Sequence, residues 1–196
     1  MQENNNRDWF NEHKPRYQTA HADVVAFAET LLDKMSHHDE LVQMTGKKSI
    51  FRIYRDVRFS KNKLPYKTHF GGSYHRKKPE LRGGYYMHIA PNDASFIATG
   101  FWEPNKDDLL RIRKEFEMDD SEIRAILNNK SFKSVWGDLV GDEVKTAPKG
   151  FSKEHKNIDL IRKKQFIFTK KYTDKEVLSR DHMKVRIHFL ALVQSK

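Results

Sequence analysis

The chain has 196 residues and no cysteine, which excludes disulfide scaffolds, thiol nucleophiles and cysteine-based zinc sites. It contains no apolar run of bilayer length, and its first residues lack the basic and apolar parts of a signal peptide, so we expect a soluble cytoplasmic protein without a membrane partner. The net charge of +10 predicts a surface that attracts phosphate, nucleic acid or acidic partners.

The N-terminal part predicts two helices. Asn6 is a residue type that caps helices, and Asp8 would then lie favourably in the first turn of a short helix. Pro15 suits the first turn of a second helix. Apolar residues then recur at helical spacing, which predicts a stripe that packs in the core: Tyr17, Val24, Phe27, Ala28, Leu31 and Met35.

Strand signals follow this helical region. Four segments are rich in β-branched and aromatic residues, which favour strands: 49–59, 70–76, 83–90 and 94–102. Pro91, Asn92 and Asp93 separate the last two segments and predict a tight hairpin turn. Consecutive strands with short connections pair antiparallel, so these segments predict an antiparallel sheet.

The C-terminal half predicts more helices and a last strand. Polar helices are expected at 105–118, 120–129 and 130–136, with Asp120 or Ser121 and then Ser131 near their starts. A short helix at 153–163, a strand at 165–172 and a closing helix at 174–194 complete the chain. The sequence therefore predicts an α+β fold over residues 1–196, as one domain whose antiparallel sheet has about four to six strands flanked by helices.

Four motifs resemble one protein family in their order and spacing. They are NNNRDWFNEHKPRY at 4–17, FRIYRDVRFSKNKLPYKTHFG at 51–71, GGYYMHIAPNDASFIATGFWEP at 83–104 and APKGFSKEH at 147–155. The chain resembles the bacterial and fungal family called domain of unknown function 2461 over nearly its whole length. In that family an apolar helical stretch usually precedes the first motif. Only three residues precede it here, so the resemblance implies a trimmed first helix. It implies no activity, cofactor or catalytic residue, and it supports one domain.

Positive charge is concentrated in the middle of the chain. Residues 45–90 carry 12 basic and 2 acidic side chains, net +10, whereas residues 1–44 carry 4 and 8, net −4. Residues 91–144 carry 7 and 12, net −5, and residues 145–196 carry 14 and 5, net +9. Asp56 is the single acid among six Lys and Arg residues in the second motif.

Arg55 poses a specific question in that motif. If 51–59 is a strand, Arg55 lies among apolar residues on one face, while Asp56 points to the other face. A buried guanidinium without a partner costs several kcal/mol. Arg55 therefore either forms a buried structural ion pair or faces a ligand.

The predicted site is an anion-binding pocket built from this motif. Arg binds phosphate or carboxylate with two hydrogen bonds, Lys acts as a point charge, and the adjacent glycines let a ligand approach the backbone. Tyrosines would form a neighbouring wall. The candidate ligand-binding residues are Arg52, Arg55, Arg58, Lys67, His69, Tyr66 and Tyr86.

Several other motifs are rejected. Ser60 to Lys63 fits the serine acyl-enzyme pattern but lacks its partner motifs, and Gly46 to Ser49 lacks the first glycine of a phosphate loop. Metal binding through His69, His75 and His88 on neighbouring strands is a minor alternative. We expect no metal site, and the sequence identifies neither a cofactor nor a reaction.

Three functions compete on this evidence. The favoured one is a domain whose basic pocket binds a small phosphorylated or carboxylated ligand, as an enzyme or as a binding protein. A nucleic-acid-binding module is the second, although no recognised reading motif is present and binding would be non-specific. The third is a protein-interaction domain that meets an acidic partner through the same basic face.

Overall fold

The computed structural model describes residues 1–179. Eight helices and four strands follow one another in this part of the chain. The helices are α1 (Arg7–Glu12), α2 (Lys14–Ser36), α3 (Gly46–Ser49), α4 (Lys106–Met118), α5 (Ser121–Asn128), α6 (Lys130–Trp136), α7 (Ile158–Ile161) and α8 (Asp174–Leu178). The strands are β1 (Phe70–His75), β2 (Gly84–Ile89), β3 (Ser95–Phe101) and β4 (Phe166–Tyr172).

The strands form one antiparallel sheet in the order β1-β2-β3-β4. The α+β fold class and a sheet of the predicted size are thereby confirmed. No helix among residues 1–179 is both long and apolar enough to cross a membrane.

Two compact units divide the chain. Among the described residues, the first comprises 1–81, 86–97 and 171–179, and the second comprises 82–85 and 98–170. In the first unit, the apolar stripe of α2 supplies a large part of the core, because Ala28, Leu31 and Met35 are buried. In the second unit, Trp136, Leu160, Ile161 and Ile167 are buried.

Local hydrogen bonds explain where the elements begin. The Asn6 side chain accepts a 2.9 Å bond from the Trp9 amide and caps α1, as predicted. The hairpin turn between β2 and β3 is also confirmed, since Asn92 and Asp93 both have positive φ, the geometry of a tight two-residue turn. The Asp174 carboxylate accepts hydrogen bonds from both turn amides, at 2.9 and 3.1 Å.

Two predicted elements differ from the structure. Residues 51–59 are not a regular strand, as described below. The short helix expected at 153–163 is reduced to α7. The residues before it form turns, in which Ser152 Oγ accepts a 3.2 Å bond from the Glu154 amide and His155 Nδ1 accepts a 3.1 Å bond from the Asn157 amide. Asn129 caps α6, and Ser131 lies in the first turn of that helix, near its start as expected. Residues 180–194 of the expected closing helix lie outside the described residues.

Candidate anion-binding site

Residues 50–72 form an irregular hairpin that we call the basic arm. Isolated bridges join Ile50 to Gly72 and Tyr54 to Tyr66, and residues between the bridges make few ladder hydrogen bonds. The two bridges differ in register by two residues, because four steps on the first side oppose six on the second. This mismatch breaks the regular ladder, which explains why the strand predicted at 49–59 is absent.

Asn5 fastens the basic arm to the N-terminal segment. Its side-chain amide donates a 3.0 Å hydrogen bond to the Tyr66 carbonyl, and its side-chain oxygen accepts a 3.1 Å bond from the Tyr66 amide. The Tyr66 ring is buried and packs against the Phe10 ring in a tilted arrangement, at 4.3 Å between ring centroids. The motif at 51–71 and the motif at 4–17 are therefore joined by the Asn5 side chain and by the Tyr66–Phe10 ring contact.

The basic side chains of the arm bond to backbone oxygens. Lys67 Nζ donates to the carbonyls of Arg52 at 2.6 Å and Tyr54 at 3.0 Å. Arg55 Nη1 donates to the Leu64 carbonyl at 3.1 Å, in a part-exposed position. The guanidinium is therefore neither buried among apolar residues nor paired with a carboxylate of residues 1–179. The alternative of a buried ion pair at this position is wrong.

Arg58 is the arm residue that meets the local acid. Its guanidinium forms two hydrogen bonds with the Asp56 carboxylate, at 3.0 and 2.6 Å. The bonds to Arg58 lower the pKa of Asp56, but both side chains are at least half exposed. An exposed pair of this kind contributes little to stability.

Lys67 lies within electrostatic range of two arginines. Partial burial lowers its pKa, and the charges of Arg52 and Arg55 lower it further. Lys67 in turn lowers the pKa of His69, a change that burial mainly causes. We call Arg52, Arg55 and Lys67 the cation cluster, because both arginines repel the lysine. Within residues 1–179 none of the three forms an ion pair with a carboxylate.

Aromatic and imidazole rings form a row beside this cluster. The His69 ring stacks on His88 at 4.1 Å, and His88 stacks on Phe96 at 4.7 Å, with interplanar angles of 27° and 16°. The Tyr86 hydroxyl lies 2.9 Å from His88 Nδ1, in hydrogen-bond contact. Phe51, which is 43% exposed, stacks over Tyr86 at 6.1 Å. We call these five residues the ring platform.

The platform lies on the less buried face of the first unit's strands. Along β2, Tyr85 and Met87 are buried, whereas the alternate residues Tyr86 and His88 are half-buried. A glycine makes room for the platform: a Cβ atom on Gly71 would lie 2.9 Å from the Tyr86 hydroxyl. A larger residue there would displace the tyrosine.

Burial and neighbouring charge keep the platform imidazoles neutral. Burial lowers the pKa of His88 to about 4, and His69 adds to that effect. Burial raises the pKa of Tyr86. At neutral pH the platform is therefore an uncharged set of rings next to a positively charged cluster.

The structure divides the predicted site residues into three groups. Arg52, Arg55 and Lys67 form the cation cluster, and Lys67 lies within electrostatic range of His69. Tyr86 and His69 belong to the ring platform. Arg58 pairs with Asp56, and Tyr66 is a core residue at 3% exposure.

Sequence reasoning missed the platform as a unit. Phe51, His88 and Phe96 were not among the candidate site residues. Strand alternation was the available signal, because His88 follows Tyr86 by two positions in a predicted strand and so shares its face. The contact with Phe96 depends on how β2 and β3 pair, which the sequence did not specify.

A separate cavity of about 350 Å³ lies beside α2. Its lining includes Glu29, Asp33, His37 and Gln43, and none of the predicted site residues. Glu29 is already engaged there, because its carboxylate accepts a hydrogen bond from the Gly46 amide. Over residues 1–179, no group of three His, Asp or Glu side chains is arranged to hold a metal ion.

Comparisons with known proteins give one match. No curated protein and no solved structure matches the chain significantly. A family model described as a conserved hypothetical protein, DUF2461, matches residues 1–193. That match covers almost the whole sequence, including the segments that build the basic arm and the ring platform. The chain therefore belongs to the conserved hypothetical protein family DUF2461.

Proposed function

We propose that the protein binds the phosphate or carboxylate group of a small anionic ligand at the cation cluster. One observation carries this proposal: Lys67 Nζ lies against the backbone of Arg52 and Tyr54, both Arg52 and Arg55 act on its charge, and within residues 1–179 no carboxylate forms a salt bridge with any of the three cations. Lys67 and Arg55 bond backbone carbonyls, which are neutral. Asp56, which Arg58 bonds directly, acts on Arg52 only through space. A bound anion would supply that missing charge.

The hydrogen-bonding capacity of the cluster supports the same proposal. Lys67 uses two of the three donors of its ammonium group on carbonyl oxygens. Arg55 directs one nitrogen, Nη1, to the Leu64 carbonyl. An arginine has five N–H donors, and charge-assisted bonds to an anion are stronger than bonds to a neutral acceptor. The remaining donors can therefore serve a phosphate or carboxylate.

The first experiment measures stabilisation by inorganic phosphate and sulfate. Thermal unfolding of the parent protein is followed with increasing phosphate at constant ionic strength, so that general screening does not change. We expect the unfolding temperature to rise with phosphate. Arg52→Ala should remove this rise, since Arg52 is exposed and bonds no carboxylate of the described chain.

A matched control separates the cluster from the overall charge. Arg111 is also exposed, and it lies on α4 in the other compact unit. Arg111→Ala removes the same charge and should leave the phosphate effect unchanged. Equal losses in the two variants, or no phosphate effect in the parent, would contradict anion binding at the cluster.

A nucleic-acid-binding module is the second candidate. The observation that favours it is exposed aromatic area on the basic arm, where Phe59 is 96% exposed and Tyr54 is 53% exposed. Exposed rings between basic side chains can stack on unpaired bases. Binding of a single-stranded oligonucleotide should then weaken steeply with salt. Sequence-selective binding that persists at physiological salt would favour this candidate over the small ligand.

A further inference from the structure

The ring platform ends at a residue on which the charge of Lys67 acts. His69, Tyr86, His88 and Phe96 contact one another, and the row of stacked rings ends at His69. Among residues 1–179, His69 stacks closely only on His88. The same residue lies within electrostatic range of Lys67. The last ring of the row is therefore two residues from Lys67 in the chain and is affected by its charge.

Phe51 extends the platform toward solvent. It stacks over Tyr86 and remains 43% exposed, although a phenylalanine gains free energy from burial. It immediately precedes Arg52 in the chain. The partly exposed Phe51 ring thus contacts the Tyr86 ring. Its neighbour in the chain, Arg52, forms no ion pair with the described carboxylates.

These surfaces differ in chemistry and lie side by side. The platform offers uncharged planar rings, and the cluster offers positive charge with free N–H donors. A simple anion such as phosphate would use the cluster alone. A ligand that uses both surfaces needs a flat ring for stacking and an anionic group a few bonds away.

We propose that the ligand is a small planar heteroaromatic compound with a phosphate group, of the mononucleotide class. Its ring stacks on the platform at Phe51 and His69, and its phosphate binds Lys67 and Arg55. This inference rests on the proposed anion-binding function and adds the identity of the non-anionic half of the ligand.

The test compares ligands that share the phosphate and differ in the ring. Adenosine 5′-monophosphate and ribose 5-phosphate are titrated into the full chain by isothermal calorimetry, with inorganic phosphate as a third probe. We expect the nucleotide to bind at least about tenfold more tightly than ribose 5-phosphate, the factor that corresponds to about 1.4 kcal/mol. Such a gain is within the range of stacking on an aromatic side chain.

Two variants on the same arm locate the ring contact. Phe51→Ala should remove the advantage of the nucleotide and leave the affinity for ribose 5-phosphate unchanged. Phe59→Ala is the matched control, because Phe59 is 96% exposed and makes no ring contact with the platform. It should leave both affinities unchanged. His69→Leu provides a second test if Phe51→Ala loosens the arm, because leucine fills the space of the imidazole without a planar ring. This variant should also reduce the advantage of the nucleotide over ribose 5-phosphate.

The outcomes separate this inference from the proposed function. Equal affinities for the nucleotide and ribose 5-phosphate would overturn the inference while phosphate binding at the cluster stands. No binding of any of the three compounds would overturn both. A single-stranded oligonucleotide that binds more tightly than the nucleotide, with dependence on Phe59 and not Phe51, would move the ring contact to the exposed part of the arm and also overturn the inference.

Discussion

Arginines in two parts of the first unit have different partners. Near the end of α2, the Arg76 guanidinium binds the Asp39 carboxylate with two contacts, at 2.8 and 3.0 Å, and the Asp39 side chain is only 3% exposed. On the basic arm, Arg55 bonds a carbonyl oxygen and Arg52 forms no ion pair with the described acids. The same residue type has a buried carboxylate as its direct partner in one place and no direct carboxylate partner in the other.

This difference shows that the position of the nearest available carboxylate determines whether an arginine forms a stabilising ion pair. Asp39 comes from the acid-rich first 44 residues and reaches a basic residue 37 positions away. The basic arm has Asp56 as its own acid, and Arg58 uses it. Local composition therefore predicted excess charge correctly, but the identity of the paired arginine depended on a contact between distant segments.

The largest expected effect comes from breaking the buried pair. Asp39→Ala leaves the Arg76 charge without its partner in a mostly buried position, so we expect the free energy of unfolding to fall by about 3 kcal/mol. Urea denaturation measures this change. Glu40→Ala is the control, because Glu40 is an exposed neighbour, and Arg52→Ala on the arm should change stability by less than about 0.5 kcal/mol. Similar losses for Asp39→Ala and Arg52→Ala would contradict the comparison.

A smaller effect is expected where the arm is fastened. Asn5→Ala removes both side-chain hydrogen bonds to the Tyr66 backbone, which together contribute about 1–3 kcal/mol. The arm should also open more often, so amide exchange at Tyr66 should become faster. Asn4→Ala is the matched control, since Asn4 is exposed. Unchanged exchange at Tyr66 would show that ring packing alone holds the arm.

The ring platform predicts a pH effect of about 1 kcal/mol. Burial holds the pKa of His88 in the folded protein at about 4, below its ordinary value near 6.5. The unfolded chain therefore binds the proton more readily, and stability falls as the pH decreases from about 6.5 to 4. The expected loss of stability is smaller than the full pKa difference would give, because His88 is partly exposed to solvent.

The groups around His88 determine how this test is read. His69 and the Tyr86 hydroxyl contact it, and Lys67 acts on His69. His88→Gln should flatten the stability profile between pH 6.5 and 4, whereas His38→Gln, at an exposed position, should not. An unchanged profile in His88→Gln would mean that the acid sensitivity arises elsewhere.

The smallest expected difference is between the two compact units. We predict one cooperative unfolding transition for the whole chain, so a probe in each unit should report the same midpoint. Trp9 lies in the first unit and Trp136 in the second, and variants that retain one tryptophan each can report them by fluorescence. Well-separated midpoints in urea would show that the units unfold independently.

Short-range chemistry explains which elements the sequence predicted. The Asn6 cap, the first-turn Pro15 and the turn at Asn92 and Asp93 each depend on neighbouring residues, and each agrees with the structure. The sequence of 51–59 has strand-forming residues, yet its partner segment does not match it in register. Strand propensity alone does not determine register, which explains why the strand predicted at 49–59 does not form.

The candidate site was predictable to a similar extent. The charge of Arg52, Arg55 and Lys67 follows from composition, and their proximity follows from a hairpin. The stack of His69, His88 and Phe96 requires three separate segments to align, and the Asn5 contact joins residues 61 positions apart. Neither arrangement leaves a local pattern in the sequence.

The two-residue register difference in the basic arm limits how the arm can change length. Side chains alternate between faces along an extended chain, so a change of two residues preserves which of them point together, whereas a change of one reverses all those beyond it. Deleting Thr68 alone would therefore exchange the sides of Lys67 and Tyr66, moving the lysine toward Phe10 and the tyrosine into solvent. Length variants of this arm should be tolerated in pairs of residues, and relatives that keep the platform should differ here by even numbers.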